Sequence, residues 1–162
     1  MSARTMPDVT VRHPAPIWRD RADVTLVSAF LLDGDIGWEE LPARRIPHRP
    51  GDGSGVDRDV FEICCIPFFS EPEALGDIVI DAPEAPGLVA EIDERGDFTT
   101  IGVWAKDHAA ADRIEDGLTS RGWPFERRGD LLVVARPSDR AGDGYQAFLD
   151  ACVQAGEARW AN

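Results

Sequence analysis

Two apolar periods alternate along the last 64 residues, and their order constrains the fold more than any other feature of the chain. Apolar residues recur every second position in some segments and every third or fourth position in others, which indicates strands and helices respectively. The resulting order is strand, helix, strand, strand, helix, strand. This order is typical of a ferredoxin-like βαββαβ unit, and we predict one over residues 99–162. Because such units host many unrelated functions, the order alone names no reaction.

The two predicted helices have clear ends. Asp107 can accept hydrogen bonds from the free amides of the first helical turn, and Gly122 ends that helix. The second helix begins near Tyr145 and ends at Gly156. Between the helices, Leu131–Ala135 is a continuous apolar run, which indicates a central strand. The apolar positions expected to face the core are Ala110, Ala111, Ile114 and Leu118 on the first helix, and Phe148, Leu149, Cys152 and Val153 on the second.

Residues 24–98 have strand-like periods and predict a separate small β domain. Four or five short antiparallel strands in this length favour a partly open β-barrel or a curled sheet. The segment Val24–Leu32 is apolar on both faces, so we expect it at the centre of that sheet. Residues 1–23 contain three prolines after position 6 and predict an extended arm. The predicted fold class is therefore α+β, divided into residues 1–23, 24–98 and 99–162.

The formal net charge of −13 is unevenly distributed along the chain. Residues 1–98 carry 20 acidic and 9 basic side chains, a net charge of −11. Such a surface argues against nucleic acid and anionic membranes as partners, since both need clustered Lys and Arg. It favours solubility or a cationic partner. No apolar run approaches the length of a membrane span and no secretory signal is visible, so we expect a cytoplasmic protein.

The sequence predicts neither a metal site nor a cofactor. Cys64 and Cys65 are adjacent, and neighbouring residues of a strand point to opposite faces, so they cannot share one ligand site. Free cysteines of this kind are more often small buried apolar residues. The Gly-rich segment Gly51–Gly55 lacks the Lys and Ser or Thr of a phosphate-binding loop. The three histidines, His13, His48 and His108, have no metal-binding spacing.

Two short motifs carry a resemblance to a known family. Ile66-Pro67-Phe68-Phe69 is followed by Gly76-Asp77-Ile78-Val79, and then by the strand and helix pattern of the C-terminal part. Together they resemble the bacterial family called domain of unknown function 4265, over roughly residues 38–160. The resemblance implies a shared fold. It carries over no catalytic residue.

Exposed aromatic side chains are the main indication of a binding surface. In a ferredoxin-like unit the sheet face opposite the helices must meet the first domain, a second copy of the chain, or a ligand. The five tryptophans are many for this length, and aromatic residues commonly anchor binding sites. The residues predicted to bind a partner are Phe68, Phe69, Trp104, Phe125 and Trp160, together with His48 beside the Gly-rich segment.

Two classes of function remain open. The favoured class is a non-catalytic binding or interaction module, such as an accessory or immunity-type protein. Its partner would be a protein or a small-molecule ligand, and the acidic first domain favours a basic one. The alternative is a small metal-independent enzyme in an interdomain cleft, with His48, Glu62, Asp77 or Glu91 as general base. The first is favoured because no nucleophile, metal set or cofactor fingerprint is visible.

Overall fold

The computed structural model describes residues 9–47 and 58–161, and in these residues it contains two β-sheets and two α-helices. The α+β class predicted from the sequence is confirmed. The strands are β1 (Val9–Val11), β2 (Val24–Leu32), β3 (Asp35–Ile46), β4 (Val60–Ile63), β5 (Ile78–Ala82), β6 (Ala85–Glu94), β7 (Phe98–Ala105), β8 (Phe125–Arg128), β9 (Leu131–Pro137) and β10 (Ala158–Ala161), and the helices are α1 (His108–Arg121) and α2 (Asp143–Gln154).

The first sheet curls into a ring. Its strand order is β1-β3-β2-β6-β5-β4, and β4 pairs with β3 as well as with β5. Asp33 and Gly34 form the two-residue turn between β2 and β3, and both have positive φ, as type I′ hairpins require. The sequence predicted antiparallel strands only. Two of the pairings are parallel, namely β1 with β3 and β2 with β6.

Strand β2 has the predicted bounds but a different environment. Only Leu26, Ser28 and Phe30 are buried, whereas Leu31 on the other face is 77% exposed. The strand lies inside the sheet, between β3 and β6, as expected, but only one of its faces is covered. On its other side, β2 pairs with β6 at a single position, Val27 with Leu88.

The second sheet has the strand order β10-β7-β9-β8, and all its pairings are antiparallel. Asp107 caps α1 by accepting a hydrogen bond from the N–H of Ala110, and Gly122 ends the helix with a φ of 67°, as predicted. Phe148 is only half-buried and packs at the edge of the core. The core between the helices and the sheet consists of Ile101, Val103, Ala111, Ile114, Leu118, Leu132, Val134, Tyr145 and Leu149.

The first sheet covers the other face of the second. Leu131, Val133 and Ala135 of β9 point away from the helices and pack against Val11, Phe30, Ile66, Phe68 and Leu75. Strand β9 is consequently buried on both faces. Of the three occupants considered for this face, the first domain is the one that lies there.

The N-terminal segment is packed rather than a free arm. Strand β1 pairs with β3, and Val11 belongs to the core between the sheets. The backbone N–H of Trp18 donates to the carbonyl of Cys64 at 3.0 Å. Over residues 9–23, the segment predicted as an extended arm is packed against the first sheet. Val11 is buried and Trp18 is half-buried, whereas Val9 and Ile17 are 43% and 37% exposed.

Candidate functional site

A buried charged group joins the two sheets. The Nε2 atom of His13 lies 2.9 Å from Oε1 of Glu39 on β3, and its Nδ1 atom lies 2.7 Å from Oε1 of Glu126 on β8. All three side chains are almost completely removed from solvent. The chain segment after β1 thereby bridges a strand of the first sheet to a strand of the second.

The segment 66–70, which we call the PFF loop, wraps around the two carboxylates. Glu39 accepts hydrogen bonds from the backbone N–H groups of Phe68, Phe69 and Ser70, at 2.6, 3.0 and 2.7 Å. Glu126 accepts one from Ile66. Pro67 is the one residue of this loop that has no N–H to donate. The motif that carries the family resemblance is thus the segment whose amides satisfy the buried carboxylates.

Both ring nitrogens of His13 face carboxylate oxygens, so both must donate and the ring is an imidazolium. Burial disfavours the charged ring, but the hydrogen bonds with Glu126 and Glu39 outweigh burial and raise the pKa of His13 to about 9. Burial likewise opposes ionisation of Glu39. The hydrogen bonds from His13 and from the amide of Phe68 nevertheless hold the pKa of Glu39 below its usual value.

This arrangement stabilises the junction and has little capacity for catalysis. Each of the four carboxylate oxygens already accepts a hydrogen bond, and neither ring nitrogen is left to meet a substrate. The three residues of this group are not among the site residues predicted from the sequence. One signal was available, since Glu39 is in phase with the buried residues Leu41 and Ala43 of the same strand.

The predicted pair Phe68 and Phe69 lies in the PFF loop rather than in a strand. Phe68 is buried and stacks on the ring of His13, with ring centroids 4.8 Å apart. Phe69 is half-buried and stacks on Phe30 of β2 at 5.1 Å. Phe68 therefore supports the buried charged group, and only Phe69 reaches the surface.

The structure does not bring the other predicted aromatic residues to this place. Phe125 and Trp160 pack against the core on the helix side of the second sheet, so the expectation that they reach its other face is wrong. The reason is that side chains alternate between the two faces of a strand, and this alternation places Phe125 on β8 and Trp160 on β10 on the face that the helices cover. Trp104 lies on the other face, is 37% exposed, and has Arg159 over its ring at 5.3 Å. His48 lies outside the described residues.

An apolar groove of about 460 Å³ opens where the β2–β3 hairpin meets the PFF loop. The stacked rings of Phe30 and Phe69 contribute to its wall, beside Leu31 and Ile36. Leu31 and Ile36 face each other across the hairpin and are 77% and 58% exposed. The lining residues are Ala29, Phe30, Leu31, Ile36, Phe69 and Glu71.

The carboxylates considered as general bases do not line this groove. Glu62 forms ion pairs with Arg21 and Arg44. Asp77 is fully buried and accepts hydrogen bonds from the backbone N–H groups of Ala74 and Gly96. Both have structural partners, and Glu91 is exposed on β6.

The adjacent cysteines are buried in the first domain. Burial, followed by the negative charge of Glu62, raises the pKa of the Cys64 thiol to about 11. Burial also raises the pKa of Cys65.

In residues 9–47 and 58–161, no group of three His, Cys, Asp or Glu side chains is arranged to hold a metal ion. Neither helix of this part of the chain is long and apolar enough to cross a membrane.

Comparison with solved structures gives a likeness of fold. The chain is similar to a hypothetical protein from Neisseria gonorrhoeae, with a TM-score of 0.64 and 22% sequence identity. The likeness covers 85% of this chain and 91% of that one. No family model and no curated protein matches the chain. The resemblance to domain of unknown function 4265 stays a prediction.

Proposed function

We propose that this protein is a non-catalytic binding module whose groove at the β2–β3 hairpin holds an apolar side chain of a protein partner. The observation that carries the proposal is the exposure of Leu31 and Ile36 beside the stacked rings of Phe30 and Phe69. Adjacent exposed apolar residues at a concave surface are typical of interaction sites. The buried charged group supports this assignment, because it holds the PFF loop, and with it Phe69, in one position.

The charges around the groove favour a basic partner. Glu71 lines the groove, and the exposed residues Asp33 and Asp35 lie at the tip of the same hairpin. Opposite charges at the rim of an interface steer association and select partners. The net charge of −13 acts in the same direction over longer distances.

We further infer that residues 98–161 are a ferredoxin-like unit serving as a rigid support for the first domain. Its element order and its strand order, β10-β7-β9-β8, support this assignment. The unit supplies Glu126 and the outer face of β9 to the junction between the sheets. We also propose a cytoplasmic location, which the three free cysteines support.

Synthetic peptides test the binding proposal. The probe is a peptide Lys-Lys-Val-Leu-Val-Lys-Lys with blocked ends, and the comparison peptide has Glu at every Lys. Isothermal titration should detect binding of the basic peptide, weakened by salt, and much weaker binding of the acidic one.

Variants of the hairpin locate the site. Leu31→Ser should reduce the affinity for the basic peptide at least about tenfold. Leu32→Ser is the matched control, because Leu32 is 44% exposed on the same strand but does not line the groove. Equal affinities of the two variants, or no binding of the basic peptide to the unaltered protein, would overturn the proposal.

A further inference from the structure

We propose that the partner of the groove binds as an added β-strand along the open edge of β2, over Ala29–Leu31. This inference rests on the proposed function and specifies its geometry. An extended segment would hydrogen bond to the backbone of β2 and place alternate side chains in the groove. The inference is carried by the register of the first sheet.

The hairpin fixes which backbone groups of β2 point outward. Leu32 and Asp35 flank the two-residue turn and form its closing hydrogen-bonded pair. Because bonded and non-bonded pairs alternate along an antiparallel ladder, the N–H and C=O groups of Ala29 and Leu31 point away from β3. The N–H and C=O groups of Val27 also point away from β3, and Val27 is the residue of β2 that pairs with β6.

The edge of β2 that faces away from β3 pairs with β6 at Val27. Beyond that residue it has no partner strand in the described part of the chain. The ladder between β2 and β6 consists of the single pair Val27–Leu88, after which β6 continues along β5. Within the described residues, Ala29 and Leu31 have no backbone partner on that side. Two residues of β2 therefore present donors and acceptors to whatever occupies the neighbouring space.

The groove lies beside this open edge. Ala29, Phe30 and Leu31 of β2 line the groove together with Phe69 and Glu71, and Ile36 of β3 completes it. A strand added here would direct one set of side chains toward Phe30 and Phe69, and the alternate set toward Leu31. Backbone pairing would give affinity, and the groove would select the apolar side chain.

Charge identifies the occupant as an extended segment with Lys or Arg next to its apolar residue. A second copy of the chain would bring its own Asp33, Asp35 and Glu71 to the same edge, together with a net charge of −13. Like charges facing each other across a strand pair destabilise it. A basic segment of another protein meets the same carboxylates favourably.

N-methylated versions of the basic peptide test the geometry. One version carries methyl groups on the first, third, fifth and seventh backbone nitrogens, and the other on the second, fourth and sixth. Because only one edge of an added strand bonds to β2, one version should lose at least about tenfold in affinity and the other should stay within about threefold. Loss in both versions, or in neither, would overturn strand addition.

Substitutions in the protein provide a second test of strand addition. Ala29→Pro removes an outward N–H that has no partner in the described structure, and edge strands tolerate proline at such positions. It should weaken peptide binding at least about tenfold, whereas Ala29→Ser, which keeps the N–H, should not. If Ala29→Pro does not fold, the N-methylated peptides decide alone.

Two further outcomes separate this inference from the proposed function. Failure of the unmodified peptide to bind would refute the proposed function itself. Sedimentation that shows a dimer of the unaltered protein, lost in Leu31→Ser, would make a second copy the occupant and overturn the partner proposed above.

Discussion

The Nδ1 atom of His13 lies 2.7 Å from Oε1 of Glu126, although the two residues are 113 positions apart in the chain. The contact is buried and belongs to a group in which Glu39 holds the other ring nitrogen at 2.9 Å. The segment after the first strand and the third-last strand are therefore held together by charge-assisted hydrogen bonds inside the protein.

Removing the histidine should destabilise the fold strongly. His13→Ala leaves Glu39 and Glu126 buried without their shared cation, and loss of one partner of a buried ion pair costs about 3–5 kcal/mol. Urea unfolding measures the change. His108→Ala is the control, since His108 is exposed, and should cost less than about 1 kcal/mol. Equal costs would contradict the stabilising role of the buried group.

The same group makes stability depend on pH. The pKa of His13 is raised from 6.5 to about 9 on folding, so its contribution is fully present below pH 6.5 and is lost as the pH rises to 9. The linked free energy of unfolding is about 3 kcal/mol. The pKa of Glu39 is lowered, so its contribution is present above pH 4.5 and is lost as the pH falls through the folded-state value.

Nitrogen NMR of the His13 ring provides the direct measurement. Both ring nitrogens should remain protonated at pH 8, where an exposed histidine is neutral. His13→Gln should lose the part of the pH dependence that falls between pH 6.5 and 9. A His13 titration with its midpoint near 6.5 would refute this prediction.

Gly37 is required where the ring of Phe30 crosses the hairpin. A Cβ atom at this position would overlap that ring, which lies directly over the glycine. Gly37→Ala should displace Phe30 from Phe69, reshape the groove, and reduce stability by about 1–3 kcal/mol. Gly144→Ala is a suitable control, since its Cβ would lie at an ordinary 3.4 Å from Trp123. Thermal unfolding of both variants, with no greater loss for Gly37→Ala, would contradict the prediction.

The cysteines should differ in their reactivity toward a thiol reagent at pH 8. Cys152 is half-buried, whereas Cys64 and Cys65 are buried, and burial raises the pKa of all three thiols. We expect Cys152 to react first in the folded protein, and the other two only on unfolding. Mass spectrometry of labelled peptides identifies the order, and Cys152→Ser should abolish the early phase. Early labelling of Cys64 or Cys65 would indicate an accessible thiol pair.

Features determined by neighbouring residues could be predicted from the sequence. The cap of α1 at Asp107 involves an amide three residues away, and Gly122 ends the same helix through its own backbone. The turn at Asp33 and Gly34 is equally local. These elements depend on interactions within one turn of chain, which residue type and spacing determine.

The contacts that join the two sheets are made by residues far apart in the sequence, and no regular spacing between these residues indicates that they will meet. Nothing in the segment around His13 indicates that Glu126 will be its neighbour. Phe125 and Trp160 were assigned to the wrong face for a similar reason, since each is one aromatic residue in a strand of four, and the sequence does not show which face of that strand the helices cover. Phe68 and Phe69 were both predicted as binding residues, and only the three-dimensional packing separates the buried Phe68 from the half-buried Phe69.

The long sequence separation within the buried group also affects how the chain is made. During synthesis, the last strand of the first sheet ends at Glu94, 32 residues before Glu126 is added, and at 5–20 residues per second the delay is roughly 2 to 6 seconds. Throughout this interval the newborn first sheet contains a histidine with only one of its two carboxylates, and its face for β9 is uncovered. Chaperones that recognise exposed apolar surface therefore have a defined period in which to act on this protein.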